Sequence, residues 1–194
     1  MIHKNRTLYE LHFQHRTVLL DVFMIGFSVF FLAIMANIRI PLWPVPITMQ
    51  TFGVFLIAFF FGSKRGLLTI AAYVLAGLAG IGVFAGYKSG TAAILGPTGG
   101  YILGFLFMAL AIGWMIEKGY GRTKLSVLKC MIVGEVILYV FGLAGLWIYL
   151  GNVSLLKVLQ LGFIPFILGD ALKAGAAVAL FPYLWKGHHK LVNN

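Results

Sequence analysis

Long apolar runs, separated by short polar stretches, set the organisation of this chain. Six runs read as helices of membrane-spanning character, at about residues 18–38, 48–61, 67–85, 100–116, 126–150 and 162–185. About 17–25 apolar residues suffice to cross a hydrocarbon core roughly 30 Å thick. The first run ends before Pro41, and the second is short unless the loop before it dips into the bilayer. With spans along its whole length, the chain is expected to be all-α: a polytopic membrane protein with six transmembrane helices. Residues 1–194 form a single membrane domain, with tails at 1–17 and 186–194. The first run follows about 17 polar and mixed residues and precedes no small-residue cleavage site, so it is expected to be retained. No internal repeat and no matched pair of interrupted helices is evident, which argues against an inverted-repeat carrier.

Composition agrees with the pattern. The chain is 61% hydrophobic and 10% charged, against about 25% charged in a soluble domain, and its mean hydropathy is +0.97. The net charge of +10 comes from loop asymmetry and not from a nucleic-acid-binding face. In a six-span arrangement Lys4, Arg6, Arg16, Lys64, Arg65, Lys118, Arg122, Lys124, Lys129, Lys186 and Lys190 fall on one side, and only Arg39, Lys88 and Lys157 on the other. The positive-inside rule then puts both termini in the cytoplasm. Cys130 is alone, so no internal disulfide is possible. The five histidines, His3, His12, His15, His188 and His189, all lie near the ends, and no metal site is expected.

Against this background the pair Asp170 and Lys173 stands out in the last apolar run. A charge at mid-membrane depth costs about 2.5–3.5 kcal/mol even on lenient scales. Three residues apart on a helix, the two share a face and offset one another. Two readings are open: a polar ligand site or ion path, and a structural salt bridge between helices. Counting from residue 162, Asp170 is expected about 12 Å into the last span at 1.5 Å per residue. Gln50 and two unusual external loops fall at similar depth. The stretch 86–101 is too rich in glycine for a spanning helix, so it reads as a lid over a cavity or as an ordinary turn. The loop 41–46 is stiffened by Pro41, Pro44 and Pro46, and Trp43 in it reads as a stacking surface or an interfacial belt residue.

Other charges and motifs are less directive. Glu135 lies nearer the cytoplasmic face and is expected outside any ligand site. Asp21 is expected to meet solvent, Arg16 or Lys64. Gly86-Tyr-Lys-Ser89 lacks the glycine directly before lysine that a phosphate loop needs. No histidine base, Cys–His pair or close carboxylate pair supports catalysis, so no enzyme is expected.

Four segments resemble one family. Pro44-Val-Pro-Ile-Thr-Met-Gln-Thr-Phe-Gly53, Gly82-Val-Phe-Ala-Gly86, Leu95-Gly-Pro-Thr-Gly-Gly-Tyr-Ile-Leu-Gly-Phe105 and Gly169-Asp-Ala-Leu-Lys-Ala174 resemble the BioY family. This is the biotin-binding substrate component (S component) of energy-coupling factor (ECF) transporters. The resemblance covers about residues 15–185. It implies an ECF S-component-like bundle in a prokaryotic cell membrane that captures biotin from outside with high affinity for uptake. It implies as partners a transmembrane coupling protein and two ATP-binding cassette ATPases, besides membrane lipid, with no cofactor. It also implies that Asp170 and Lys173 contribute to biotin binding and that Gln50 lies in the same motif region. Trp43, Phe84 and Tyr101 are candidates to pack on the ligand, and either Lys173 or Lys88 to meet its carboxylate. The chain departs from the family pattern at Gly86-Tyr-Lys-Ser-Gly90, where glycines are usual, and at Ala33 and Ala36, which are three apart where a four-residue spacing serves docking. The alternatives are an S component for another vitamin or a biotin precursor, and a solitary proton-coupled carrier.

Overall fold

The computed structural model describes residues 6–13, 17–151 and 153–192, with side chains described as far as Trp185. Lys4, Arg16, His3 and His15 lie outside these residues, as do the side chains of Lys186, His188, His189 and Lys190.

Among the described residues, five helical segments are long and apolar enough to cross a membrane. The first is α2 (Val18–Asn37), which follows a short α1 (Leu8–His12) that the sequence pattern did not announce. Thr7 and Glu10 close a capping box around α1, and Thr17 caps α2 by accepting from Leu20 N at 3.2 Å. Leu8 and Tyr9 of α1 are buried. Tyr9 Oη donates to Asp21 Oδ1 at 2.5 Å, and Arg65 grips the same carboxylate through Nε and Nη2 at 3.1 Å each. Arg65, not Lys64, is therefore Asp21's described cationic partner, because Arg65 presents a planar fork that fits a carboxylate.

Strands β1 (Arg39–Ile40) and β2 (Ile47–Thr48) form a two-residue ladder around the proline loop and deliver the chain into α3 (Gln50–Leu78). The segment α3 is broken at Gly62, whose φ of 79° and ψ of −166° belong to glycine alone. Gln50 Nε2 donates to Tyr73 Oη at 2.8 Å. In one straight helix those residues would stand about 34 Å apart at 1.5 Å per residue, so the two halves fold back antiparallel. The reversal needs no loop over 62–66. Ser63 N and Ser63 Oγ both donate to Glu117 Oε1 at 2.8 Å, so a carboxylate from another helix caps the second half. That half ends at Leu78, not near residue 85: Gly80 turns with φ 96°, and 81–98 form a loop containing the single turn α4 (Thr91–Ile94).

The remaining elements are α5 (Gly99–Glu117), α6 (Lys124–Leu150), α7 (Leu155–Gly162), a 3-10 turn (Ile164–Phe166) and α8 (Ile167–Val192). Thr123 and Ser126 form the capping box of α6. Helix α7 and the 3-10 turn take up residues expected at the start of the last span, so α8 begins at Ile167 and Asp170 lies in its first turn. It is therefore shallower in its helix than counting from residue 162 implies. The helix dipole favours an anion there.

Packing is closest where glycines face backbone. A Cβ on Gly113 would lie 2.3 Å from Ser63 N, and one on Gly145 would lie 2.6 Å from Gly100 Cα. These contacts draw α5 onto the Gly62 turn at one end and onto α6 at the other. Phe181 of α8 stacks on Phe55 of α3 at 5.0 Å and an interplanar angle of 5°. The outer faces carry exposed Val18, Phe23, Phe27 and Phe30 on α2 and Leu168 and Leu172 on α8, as surfaces facing lipid do.

Candidate functional site

Asp170 and Lys173 meet as their spacing predicts, with Lys173 Nζ 2.9 Å from Asp170 Oδ1. The Lys173 side chain is only 7% exposed and that of Asp170 13%, so the pair is largely withdrawn from solvent. The other Asp170 oxygen, Oδ2, accepts a hydrogen bond from Tyr139 Oη of α6. The carboxylate is thus held from two helices, by an ammonium one turn deeper and by a phenol opposite.

This pair lies on the wall of a chamber built by six parts of the chain. The proline loop and β2 give Val45, Pro46 and Thr48, and the start of α3 gives Gln50 and Thr51. The 81–98 loop contributes Ala85 and Thr98; α5 adds Tyr101, Ile102 and Phe105; α6 adds Leu138 and Tyr139. Phe166, Asp170 and Lys173 close the circle. The cavity volume is about 50 Å³, room for a few water molecules.

The polar atoms are fixed before any ligand arrives. Gln50 Oε1 accepts from Thr48 Oγ1 at 3.3 Å, while its Nε2 is committed to Tyr73, whose own hydroxyl donates to Val83 O at 2.9 Å. Tyr101 Oη donates to Gly162 O at 2.7 Å, which ties α5 to the end of α7. The chamber therefore offers a carboxylate acceptor, an ammonium donor and an amide among apolar walls. That set suits a small ligand with N–H donors, a carbonyl acceptor and an apolar body.

Four of the seven sequence candidates come together here: Asp170, Lys173, Gln50 and Tyr101. Three do not line the chamber. Trp43 is 77% exposed beside a cis bond to Pro44, in the manner of an interfacial residue. Phe84 is buried with its ring edge-on to Tyr73 at 5.4 Å, and it fills the space over Gly77, where a Cβ would come within 2.1 Å of the ring. It pins the 81–98 loop to α3. Lys88 is exposed, in a turn closed by Phe84 N donating to Lys88 O at 3.1 Å. The loop still reaches the chamber, through Ala85 and Thr98. Sequence reasoning missed Tyr139, whose only signal was a phenol inside an apolar run.

A second, wider groove runs along the outer flank of α8, lined by Ile40, Met49, Phe52, Leu172 and Leu180. Thr48 and Lys173 border both spaces.

Comparison with known proteins gives concordant results. A model of the BioY family matches residues 7–190. The biotin transporter BioY of Thermotoga maritima is 40% identical over 145 residues, 75% of this chain and 83% of that protein. The probable biotin transporter BioY of Pyrococcus horikoshii is 37% identical over 161 residues, 82% of this chain and 93% of that protein. Among solved structures, the crystal structure of the S-component for biotin from an ECF-type ABC transporter superposes with a TM-score of 0.72. It shares 27% identity and covers 87% of this chain and 92% of that one. Sequence match over nearly the whole chain and a shared bundle lead to one conclusion: this chain belongs to the BioY family.

Proposed function

We propose that the protein captures biotin at the outer face of a prokaryotic cell membrane and serves as the substrate-specific component of an ECF-type transporter. The observation that carries this reading is the Asp170–Lys173 pair, withdrawn from solvent yet bordering a chamber. Biotin carries two ureido N–H donors, a ureido carbonyl, an apolar thioether ring and a carboxylate tail. Asp170 accepts from the ureido N–H groups, and Lys173 donates to the carbonyl or the tail. Charge-assisted bonds in a dry site are about twice as strong as neutral ones. Tyr101 and Phe166 wall the ring, and Gln50 adds a carbonyl acceptor.

Counting the two antiparallel halves of α3 separately supports six spans, and with six spans the loop charges favour cytoplasmic termini. Energy for uptake comes from a coupling protein and two ATPases, a requirement the family relation supports. The chamber is smaller than the roughly 300–1,000 Å³ of drug-sized ligand sites. Capture therefore requires the walls to part, and the proline and 81–98 loops are the non-helical segments that border it.

The direct test is calorimetry of the purified protein with biotin, desthiobiotin, thiamin and riboflavin. Biotin is expected to bind most tightly, desthiobiotin more weakly for want of the thioether, and the other two not at all. Preference for thiamin or riboflavin would overturn the assignment. Tyr139→Phe, which removes one bond to the Asp170 carboxylate, is expected to weaken biotin binding by about tenfold, since a hydrogen bond to a charged group contributes about 1.5–3 kcal/mol. An unchanged dissociation constant would take Tyr139 out of the site.

A further inference from the structure

Asn37, the last residue of α2, is half-buried and bonded on both sides of its amide. Its Nδ2 donates to Ala33 O at 2.9 Å, one turn back, which anchors the side chain to its own helix. Its Oδ1 accepts from Gly86 N at 3.0 Å and from Tyr87 N at 3.1 Å. The amide is thereby fixed in one orientation, because reversed it would set its NH2 group against two N–H donors. Gly86 and Tyr87 both have positive φ, 76° and 57°, and successive main-chain N–H groups in such turns converge on one acceptor.

These two bonds cross a seam. On one side is the proline loop, which follows α2 directly and is closed at its base by Met49 N donating to Ile38 O at 3.0 Å. On the other is the 81–98 loop, fixed to α3 where Gly90 N donates to Gly77 O at 2.7 Å and where Phe84 fills the space over Gly77. The chamber takes wall residues from both: Val45 and Pro46 from the first, and Ala85, the neighbour of Gly86, from the second. Among the described residues, no other hydrogen bond joins 37–48 to the 81–98 loop. Arg39 adds packing, its guanidinium carbon 3.2 Å from where a Cβ on Gly86 would sit.

We propose that Asn37 is the latch of the chamber, a positioning residue whose two bonds hold the proline and 81–98 loops together and whose release sets how fast ligand enters and leaves. This inference rests on the assignment of the chamber to biotin given above. Asn37 does not line the chamber, so it acts through the loop that carries Ala85 and not by touching the ligand. A group that only gates changes entry and exit by the same factor and leaves the equilibrium in place. A group that grips the ligand changes exit and affinity together.

The test is exchange of radiolabelled biotin on the full-length protein in detergent, with release timed after an excess of unlabelled biotin and affinity measured in parallel. Asn37→Leu keeps the size of the side chain and removes the acceptor. Its association and release are each expected to quicken about tenfold, within reach of two neutral hydrogen bonds, while Kd stays within about threefold of wild type. Asn37→Asp keeps an accepting oxygen and is expected to release no faster than wild type. Unchanged release in Asn37→Leu, a Kd that rises as much as its release rate, or equally fast release in Asn37→Asp overturns the inference. Hydrogen exchange on the wild-type protein depends on no variant being stable. The Gly86 and Tyr87 amides are expected to slow by at least about tenfold on saturation with biotin, and equal exchange with and without biotin overturns the latch. Absence of any biotin binding by the wild-type protein overturns the transport reading along with it.

Discussion

Lys173→Met is expected to reduce biotin affinity at least a hundredfold while the protein still inserts in the membrane. Methionine keeps the length and apolar body of the stem but removes the ammonium that sits 2.9 Å from Asp170. Breaking one side of a buried pair costs about 3–5 kcal/mol, because the remaining charge is left without compensation, and each 1.4 kcal/mol is a factor of ten in binding. Here that loss falls on the proposed ligand site, since the Asp170 carboxylate left without its ammonium draws in water that the ligand must displace. Calorimetry in detergent or lipid nanodiscs measures the loss. An affinity within threefold of wild type would show that the pair only joins helices. Asp170→Asn is expected to act in the same direction through the other partner.

Gly113→Val should have the largest structural effect. Its Cβ would fall 2.3 Å from Ser63 N and 2.4 Å from Gly62 C, so the obstruction is main chain, which no rotamer change relieves. The displaced turn is the one that Glu117 caps. Over-packing costs about 1–3 kcal/mol even where side chains can adjust, and here they cannot. The variant is expected to be lost to aggregation, or to melt well below wild type, as read by size-exclusion chromatography and thermal unfolding in detergent. Gly26→Val provides the contrast. A Cβ there meets nothing within 4 Å, so that variant is expected to stay folded.

The membrane class, the positions of most helices and the central ion pair were legible in the sequence because they are local or compositional. Apolar periodicity fixes spans, and two charges three residues apart on a helix must meet. What escaped depends on distant partners. Gly62 reverses the chain in a single residue because Glu117, 54 positions after Ser63, supplies the cap that a loop would otherwise provide. Phe84 has the residue type of a ligand-stacking ring, but Gly77 leaves a seat that its ring fills first. Tyr139 was invisible because a phenol in an apolar run looks the same whether it faces lipid or a carboxylate. The start of the last helix was misplaced because α7 and the 3-10 turn are as apolar as the helix they precede, so hydropathy alone could not separate them.

Thr48 and Lys173 border both the chamber and the groove on the flank of α8, so at these positions the two spaces share a wall of single side chains. Trimming Lys173 to alanine would breach that wall as well as remove a charge. Acyl tails could then enter sideways, and the apparent affinity of this variant would depend on the detergent used, whereas that of Lys173→Met would not.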